Sequence, residues 1–240
     1  MPNPSAAMLV VGDEILSGRT RDSNMHHLAM TLVEAGIDLV EVRIVPDDPD
    51  AIINAVRALS ESCDHVFTSG GIGPTHDDIT AENVARAFDL PIAIRGDAYG
   101  ILETHYAAAG LDFNEARKRM ARIPDGARLI ENPVSAAPGF TIRNVHVMAG
   151  VPTVFKAMLA NVLPGLAGGE KVLSETLRLE CGEGDIACQL GKLAEKYPDL
   201  SFGSYPFREN GCYGTNIVVR GKSADQVEGA IDDLKTVVMN

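Results

Sequence analysis

Tryptophan is absent from the 240 residues, and aromatic content is low, with five tyrosines and seven phenylalanines. A slot that grips a flat ring between aromatic side chains therefore cannot be read from the sequence. Basic residues are also scarce. There are 21 Lys and Arg against 33 Asp and Glu, a formal net charge of −12. That balance argues against nucleic acid and anionic membrane as partners, because phosphate backbones are held by clustered Lys and Arg. The four cysteines, Cys63, Cys181, Cys188 and Cys212, show no C-x-x-C spacing and no paired histidines nearby. They read as free thiols in a reducing, cytoplasmic setting. No apolar run is long enough to span a bilayer. The opening "MPNPSAAMLVVGDE" lacks a basic segment and its apolar run stops at Gly12, so no signal peptide is expected. A G-x-S-x-G nucleophile motif is missing as well.

What is present is a regular alternation. Hydrophobic residues make up 45% of the chain, enough for a sizeable core. "AAMLVVG" is a continuous apolar run that suits a buried parallel strand. "NMHHLAMTLVEAG" has Met25, Leu28, Leu32 and Val33 at helical spacing, with Gly36 as a stop. "IDLVEVRIV" is β-branched and alternates. "PDAIINAVRALSES" puts Ile52, Ile53, Val56 and Leu59 on one helical face. "DHVFTSG" reads as a strand and "ITAENVARAFD" as a helix. Strand and helix thus alternate from residue 6 to 88, which predicts an α/β domain with a mostly parallel sheet. The middle of the chain reads as irregular and helical, followed by a strand in "HVMAG" and a helix in "PTVFKAMLANVL". Residues 164–171 read as a linker. Beyond them the order β-α-β-β-α predicts a small α+β module. The expected domains are therefore 1–165 and 170–240.

In open α/β sheets, ligands bind at the carboxyl ends of the strands. Three acidic stretches fall there: "GDEILSG" with Asp13, Glu14 and Ser17, "PDD" with Asp47 and Asp48, and "GGIGPTHDD" with Asp77 and Asp78. The last combines two opposed chemistries. Gly70, Gly71 and Gly73 permit close backbone approach to a phosphate, and the helix that follows favours an anion at its N-terminus. Two carboxylates repel that same anion. A divalent cation between carboxylate and phosphate oxygens reconciles them. The loop is neither a Walker A motif, which ends Gly-Lys-Ser/Thr, nor the three-glycine dinucleotide fingerprint.

Each residue also has a plainer reading. Asp77, Asp78 or Thr80 could cap the helix. His76 could contact a phosphate, shuttle a proton or sit exposed. Asn24 could reach the site or only start its helix. Ser135 and Gly139 in "NPVSAAPGF" offer a second backbone cradle or an ordinary turn. Arg117, Lys118, Arg119 and Arg122 form a basic patch that could receive ligand phosphates, although it reads first as a solvated helix face. His65, His105 and His146 read as structural. His26 and His27 are adjacent on a helix, do not share a face and are not a metal pair.

"VGDEILSGRTRDSN", "GGIGPTHDDIT", "ARIPDGARLIENPVSAAPGF" and "AGVPTVFKAM" together resemble the molybdopterin-binding-like domain of the competence/damage-inducible protein A family, over roughly residues 7–163. "GDIACQLGKLAEKYPDLSFGSYPF" is similar to the small module that follows it in that family, and "GGIGPTHDD" is similar to the domain fused to eukaryotic FAD synthase. The resemblance implies a three-layer α/β molybdopterin-binding-like fold. It implies one of two activities. The first is metal-dependent hydrolysis of a pyrophosphate such as ADP-ribose or FAD, with Mg²⁺, Mn²⁺, Ni²⁺ or Co²⁺. The second is binding or adenylylation of molybdopterin.

Carried over by motif, Asp78 and Asp47 are the catalytic candidates, and Asp13, Glu14, Asp77 and Asp78 the metal candidates. Gly70, Gly71, Gly73, Pro74, Thr75, His76, Ser17, Asn24, Ser135 and Gly139 are the ligand-binding candidates. Ala149 and Val154 replace the family's usual proline and acidic residue, so those two roles are not carried over. The C-terminal module suggests, by analogy, a homo-oligomer, either dimer or trimer.

Overall fold

A computed structural model describes residues 2–209 and 211–238. The chain divides into two compact units, Met1–Gly169 and Glu170–Asn240.

The first unit opens with β1 (Ser5–Val11), buried from Ala6 onward, and the one-turn helix α1 (Asp13–Leu16). Helix α2 (Asn24–Ala35) stops at Gly36, which adopts φ 67°, a left-handed cap that costs glycine little. Strand β2 (Asp38–Val45) leads to α3 (Pro49–Ser62), whose first turn is closed by the Asp48 carboxylate accepting from the Ala51 N–H at 2.9 Å. Then come β3 (His65–Ser69) and α4 (Thr80–Ala87). The alternation read from the sequence is therefore present.

The middle differs from the sequence reading. Besides α5 (Gly96–Ala108) and α6 (Glu115–Lys118) it holds short strands: β4 (Ile92–Ile94), β5 (Arg122–Pro124), β6 (Arg128–Ile130) and β7 (Gly139–Ile142). Three or four residues are too few to show a period, so these strands were invisible in the pattern. Strand β8 (Val145–Met148) and α7 (Pro152–Val162) complete the unit.

Six strands form one sheet in the order β2-β1-β3-β8-β7-β6. The pairings β1/β2, β1/β3 and β3/β8 are parallel, while β7/β8 and β6/β7 are antiparallel. Successive side chains of a strand face opposite sides. Ala7, Leu9 and Val11 of β1 accordingly pack with α3, α4 and α5, and Ala6, Met8 and Val10 pack with α2 and α7. The sheet is thus the middle layer of three.

His146 sits inside this sheet at 2% exposure, its Nδ1 3.0 Å from Thr141 Oγ1 and its Nε2 3.4 Å from His65 Nδ1. Burial, then the neighbouring His65 and Arg128, push its pKa down to about 3. The pKa is below the unfolded value, so the unfolded chain takes up a proton that the folded one refuses. Stability is full above about pH 6.5 and is lost as pH falls toward 3. From this group alone the unit should be about 2 kcal/mol less stable at pH 5 than at pH 7. Denaturant unfolding at the two pH values checks this, and His146→Gln should remove most of the difference.

The second unit runs β9 (Leu173–Leu179), α8 (Glu183–Lys196), β10 (Ser201–Glu209), β11 (Cys212–Gly221) and α9 (Ala224–Val238). Its sheet is antiparallel, in the order β10-β11-β9. Ile217 and Val219 of β11 pack against Ile186 and Leu193 of α8 and against Val227, Ile231 and Leu234 of α9 in a core of its own. Among the described residues no helix is long and apolar enough to cross a membrane.

Candidate functional site

The carboxyl ends of β1, β2, β3 and β8 open onto one cleft of about 540 Å³ in the first unit. Its lining follows from the chain order. Glu14 and Thr20 come after β1, Asp47 after β2, Gly70 to Pro74 with Asp77 and Asp78 after β3, and Gly150 to Pro152 after β8. Asn132, Ser135 and Ala137 close the far side.

Two glycines make the floor. Gly70 has φ 107°, and a Cβ there would lie 2.2 Å from the Val11 carbonyl oxygen. Gly71 has φ 68°, and its Cβ would lie 2.1 Å from Thr80 Oγ1. Only glycine lets the loop lie this close to β1 and to the start of α4.

Asp78 is not a helix cap, because α4 has no side-chain cap bond. Its Oδ2 instead accepts from the Thr75 N–H at 2.8 Å and from Thr75 Oγ1 at 2.5 Å, which folds the loop back on itself. Thr75 is occupied in this way. Pro74 lines the cleft, whereas His76 projects outward with a 97% exposed side chain, 3.9 Å from Asp77.

Asp47 is half-buried and accepts from the Asp13 N–H at 3.0 Å. Burial raises its pKa above the ordinary carboxylate value. The nearby charges of Asp13, Glu14 and Asp77 raise it further, and the Asp13 N–H partly offsets them. Carboxylates from three separate strand ends therefore crowd one another here.

The remaining sequence candidates divide. Glu14, Asp77 and Ser135 line the cleft. Asp13 is exposed and contributes its peptide N–H rather than its carboxylate. Ser17 is exposed and ends α1. Asn24 is buried at 2% and works as a staple: its Nδ2 donates to Ser69 Oγ at 2.9 Å and to the Gly150 carbonyl at 2.7 Å, holding the ends of β3 and β8 together. Gly139 is buried in β7 against Val147 of β8, a packing position outside the cleft. Asp13, Glu14, Asp77 and Asp78 do not form a preformed cage: among the described residues no three His, Cys, Asp or Glu side chains converge as a metal site. The donor set still fits a hard cation completed by ligand oxygens, since Mg²⁺ commonly takes one or two carboxylates plus substrate phosphates.

Two kinds of residue depart from the first sequence reading or carry no motif in it. Arg119 and Arg122 do not lie on a solvated helix face. They line a recess beside Gly73 and Asp78 with Glu82 and Met120. Arg122 is paired with Glu82, whereas Arg119 is half-buried and has no partner among the described residues. Arg117 stacks on Tyr106 and Lys118 pairs with Glu115. Asn132 was overlooked. Its Nδ2 donates to Ser135 Oγ at 2.7 Å and to the Ala137 carbonyl at 2.8 Å, and its Oδ1 accepts from the N–H groups of Val134 and Ser135. That pattern shapes the loop after β6; the Asn-Pro step was its only sequence signal.

Residues 7–168 match the family described as "Probable molybdopterin binding domain". The chain belongs to this family. Residues 171–239 match the "FAD synthase, middle domain" family. Among similar proteins, a CinA-like protein of Citrifermentans bemidjiense is 37% identical over 194 residues, covering 79% of this chain and 45% of that one. A "Probable FAD synthase" of Caenorhabditis elegans is 30% identical over 259 aligned positions, covering 98% of this chain and 50% of that one. The chain thus spans about half the length of these two relatives. The crystal structure of CinA from Thermoplasma acidophilum superposes with a TM-score of 0.63 at 34% identity, over 69% of this chain and 99% of that one. The cleft described above lies wholly within the molybdopterin-binding domain.

Proposed function

We propose that the cleft hydrolyses the pyrophosphate of a dinucleotide or nucleotide-sugar, such as ADP-ribose or FAD, with a divalent cation. One observation carries this reading. Glu14, Asp47, Asp77 and Asp78 line the same cleft as the glycine floor, with the unpaired Arg119 in the recess beside it. Carboxylates alone would repel a pyrophosphate, and glycines with an arginine alone would need none of them. The similarity of the second unit to a FAD synthase domain supports a dinucleotide as ligand.

In the reaction a water oxygen bonds to one phosphorus as the bridging P–O bond breaks, giving AMP and ribose 5-phosphate from ADP-ribose. The peptide N–H groups around Gly70 to Gly73 and the Arg119 guanidinium receive phosphate oxygens. Asp47, steadied by the Asp13 N–H, orients the attacking water and takes its proton. Glu14, Asp77 and Asp78 would hold the cation, which when bound neutralises charge between carboxylate and phosphate. Asp78 also keeps the loop closed through Thr75.

A second reading, binding or adenylylation of molybdopterin in the same cleft, is favoured by the family to which the first unit belongs. Incubation with ADP-ribose or FAD and Mg²⁺, Mn²⁺, Ni²⁺ or Co²⁺ separates the two. AMP release supports hydrolysis. Calorimetric pterin binding without AMP release supports the second reading.

A further inference from the structure

In the second unit both helices pack on one face of the three-stranded sheet, and Leu177, Phe202, Ile217 and Val219 turn to that side. Successive residues of a strand alternate, so Arg178, Tyr205, Asn216 and Arg220 stand on the other face. That face is open: Tyr205 is 49% exposed, and Arg178 and Arg220 are exposed too. Two of the chain's few aromatic side chains lie on it, and both rings lie low. The Tyr205 ring leans over Gly203, where an added Cβ would lie 2.7 Å from Tyr205 Cε2. The Phe207 ring leans over Gly214 of β11, where a Cβ would lie 2.6 Å from Phe207 Cζ. A strand glycine under each ring leaves the room for this. Arg178 reaches across from β9 and sets its guanidinium on the Phe207 ring, 3.6 Å from the centroid, while Glu209 pairs with it at 3.2 Å.

The composition of the face narrows what could cover it. Val218 is the only aliphatic side chain among its described strand positions, too little for an apolar protein contact. Aromatic rings and guanidinium groups are instead what flat heterocycles stack on. The Arg178 charge is met by Glu209, whereas Arg220 has no partner among the described residues, and neither has the Asn216 amide. One uncompensated cation, on a chain of net charge −12, suits a single phosphate group. A polynucleotide backbone needs several. We propose that this face binds a mononucleotide, with the heterocycle stacked on Tyr205 beside the Arg178 guanidinium and the phosphate held by Arg220.

The register of the strands sets the spacing. Arg220 pairs with Ser201, four residues from Tyr205, so the two rows lie about 13 Å apart along the sheet. The Tyr205 ring leans toward Gly203, midway between them, and covers part of that distance. The rest is left for a ribose and its phosphate. Asn216 is the cross-strand partner of Tyr205 and offers both a donor and an acceptor beside the stacked ring. Shielding of the strand glycines accounts for the lean of the rings. It does not account for the open side of Tyr205, nor for an unpaired arginine and an unpaired amide next to it. The site lies within the second unit and is independent of what the cleft binds.

Amide NMR spectra of the intact isotope-labelled chain, titrated with AMP, test the site. Saturable shifts are expected at Gly203, Tyr205, Asn216 and Arg220. Shifts around Gly70 to Gly73 report the cleft separately, so failure of one site is visible without the other. Tyr205→Leu keeps an apolar cover on Gly203 but no ring, and should weaken AMP about 10-fold or more. Tyr205→Phe keeps the ring and should bind as the wild type does. Arg220→Gln should lower the affinity for AMP to that for adenosine and leave adenosine binding unchanged. A dispersed spectrum of each variant shows that its fold is kept. Shifts confined to the first unit, or none at all, would overturn the proposal. So would AMP binding indifferent to Tyr205→Leu, or adenosine bound by the wild type as tightly as AMP. A single-stranded oligoadenylate bound far more tightly than AMP would overturn it in favour of RNA.

Discussion

Asp78→Asn should leave the molybdopterin-binding domain folded and lower pyrophosphate turnover by about 10²-fold or more, a barrier increase of about 2.7 kcal/mol. The Asp78 carboxylate accepts two bonds from Thr75, and asparagine keeps an oxygen that can accept from the same N–H. What the change deletes is charge. Asp78→Ala removes the acceptor as well and should cost a further ~1 kcal/mol of loop stability. Thermal unfolding run beside AMP release on both variants distinguishes the two contributions. If Asp78→Asn turned over at the wild-type rate, Asp78 would be a loop-closing residue only, and the assignment of the cleft would lose its main support.

The second large effect is structural. Gly70→Ala should cost at least about 3 kcal/mol, from left-handed backbone strain together with overpacking. Its Cβ would meet backbone, the Val11 carbonyl oxygen, which cannot swing aside as a side chain does. Gly110 provides the control, because it has φ 65° but nothing within 4 Å of an added Cβ. Gly110→Ala should therefore show the strain alone, about 1–2 kcal/mol. Thermal unfolding by circular dichroism reads both, and roughly 2–4 °C is expected per kcal/mol in a unit of this size. Equal losses in the two variants would show that the close approach to β1 contributes nothing.

The first half of the sheet was legible because its signals are long. β1 is an unbroken apolar run, and α3 repeats its apolar face over four turns. The short strands β4 to β7 carry no period, and their pairing depends on partners far along the chain, such as Ala93 with Ile123. The convergence of acidic strand ends was also legible, since topology alone sends Glu14, Asp47 and the glycine loop to one side of the sheet. Side-chain direction was not. The run Arg117 to Arg122 looks like one helix face. In fact α6 ends at Lys118, a tighter turn covers Arg119–Ala121, and β5 begins at Arg122. That break turns Arg119 and Arg122 toward the recess beside Asp78. Asn24 and Gly139 sit inside motifs yet serve packing, because a motif marks the residues that build a loop as well as those that face its ligand.

AMP release from ADP-ribose by the intact wild-type chain, followed by chromatography with and without a divalent cation, tests the bridging of carboxylate and phosphate most directly. The expected result is AMP and ribose 5-phosphate in equal amounts with Mg²⁺, Mn²⁺, Ni²⁺ or Co²⁺, and none after chelation. Release that persists unchanged in chelator, or no release with any of the four cations, would contradict it.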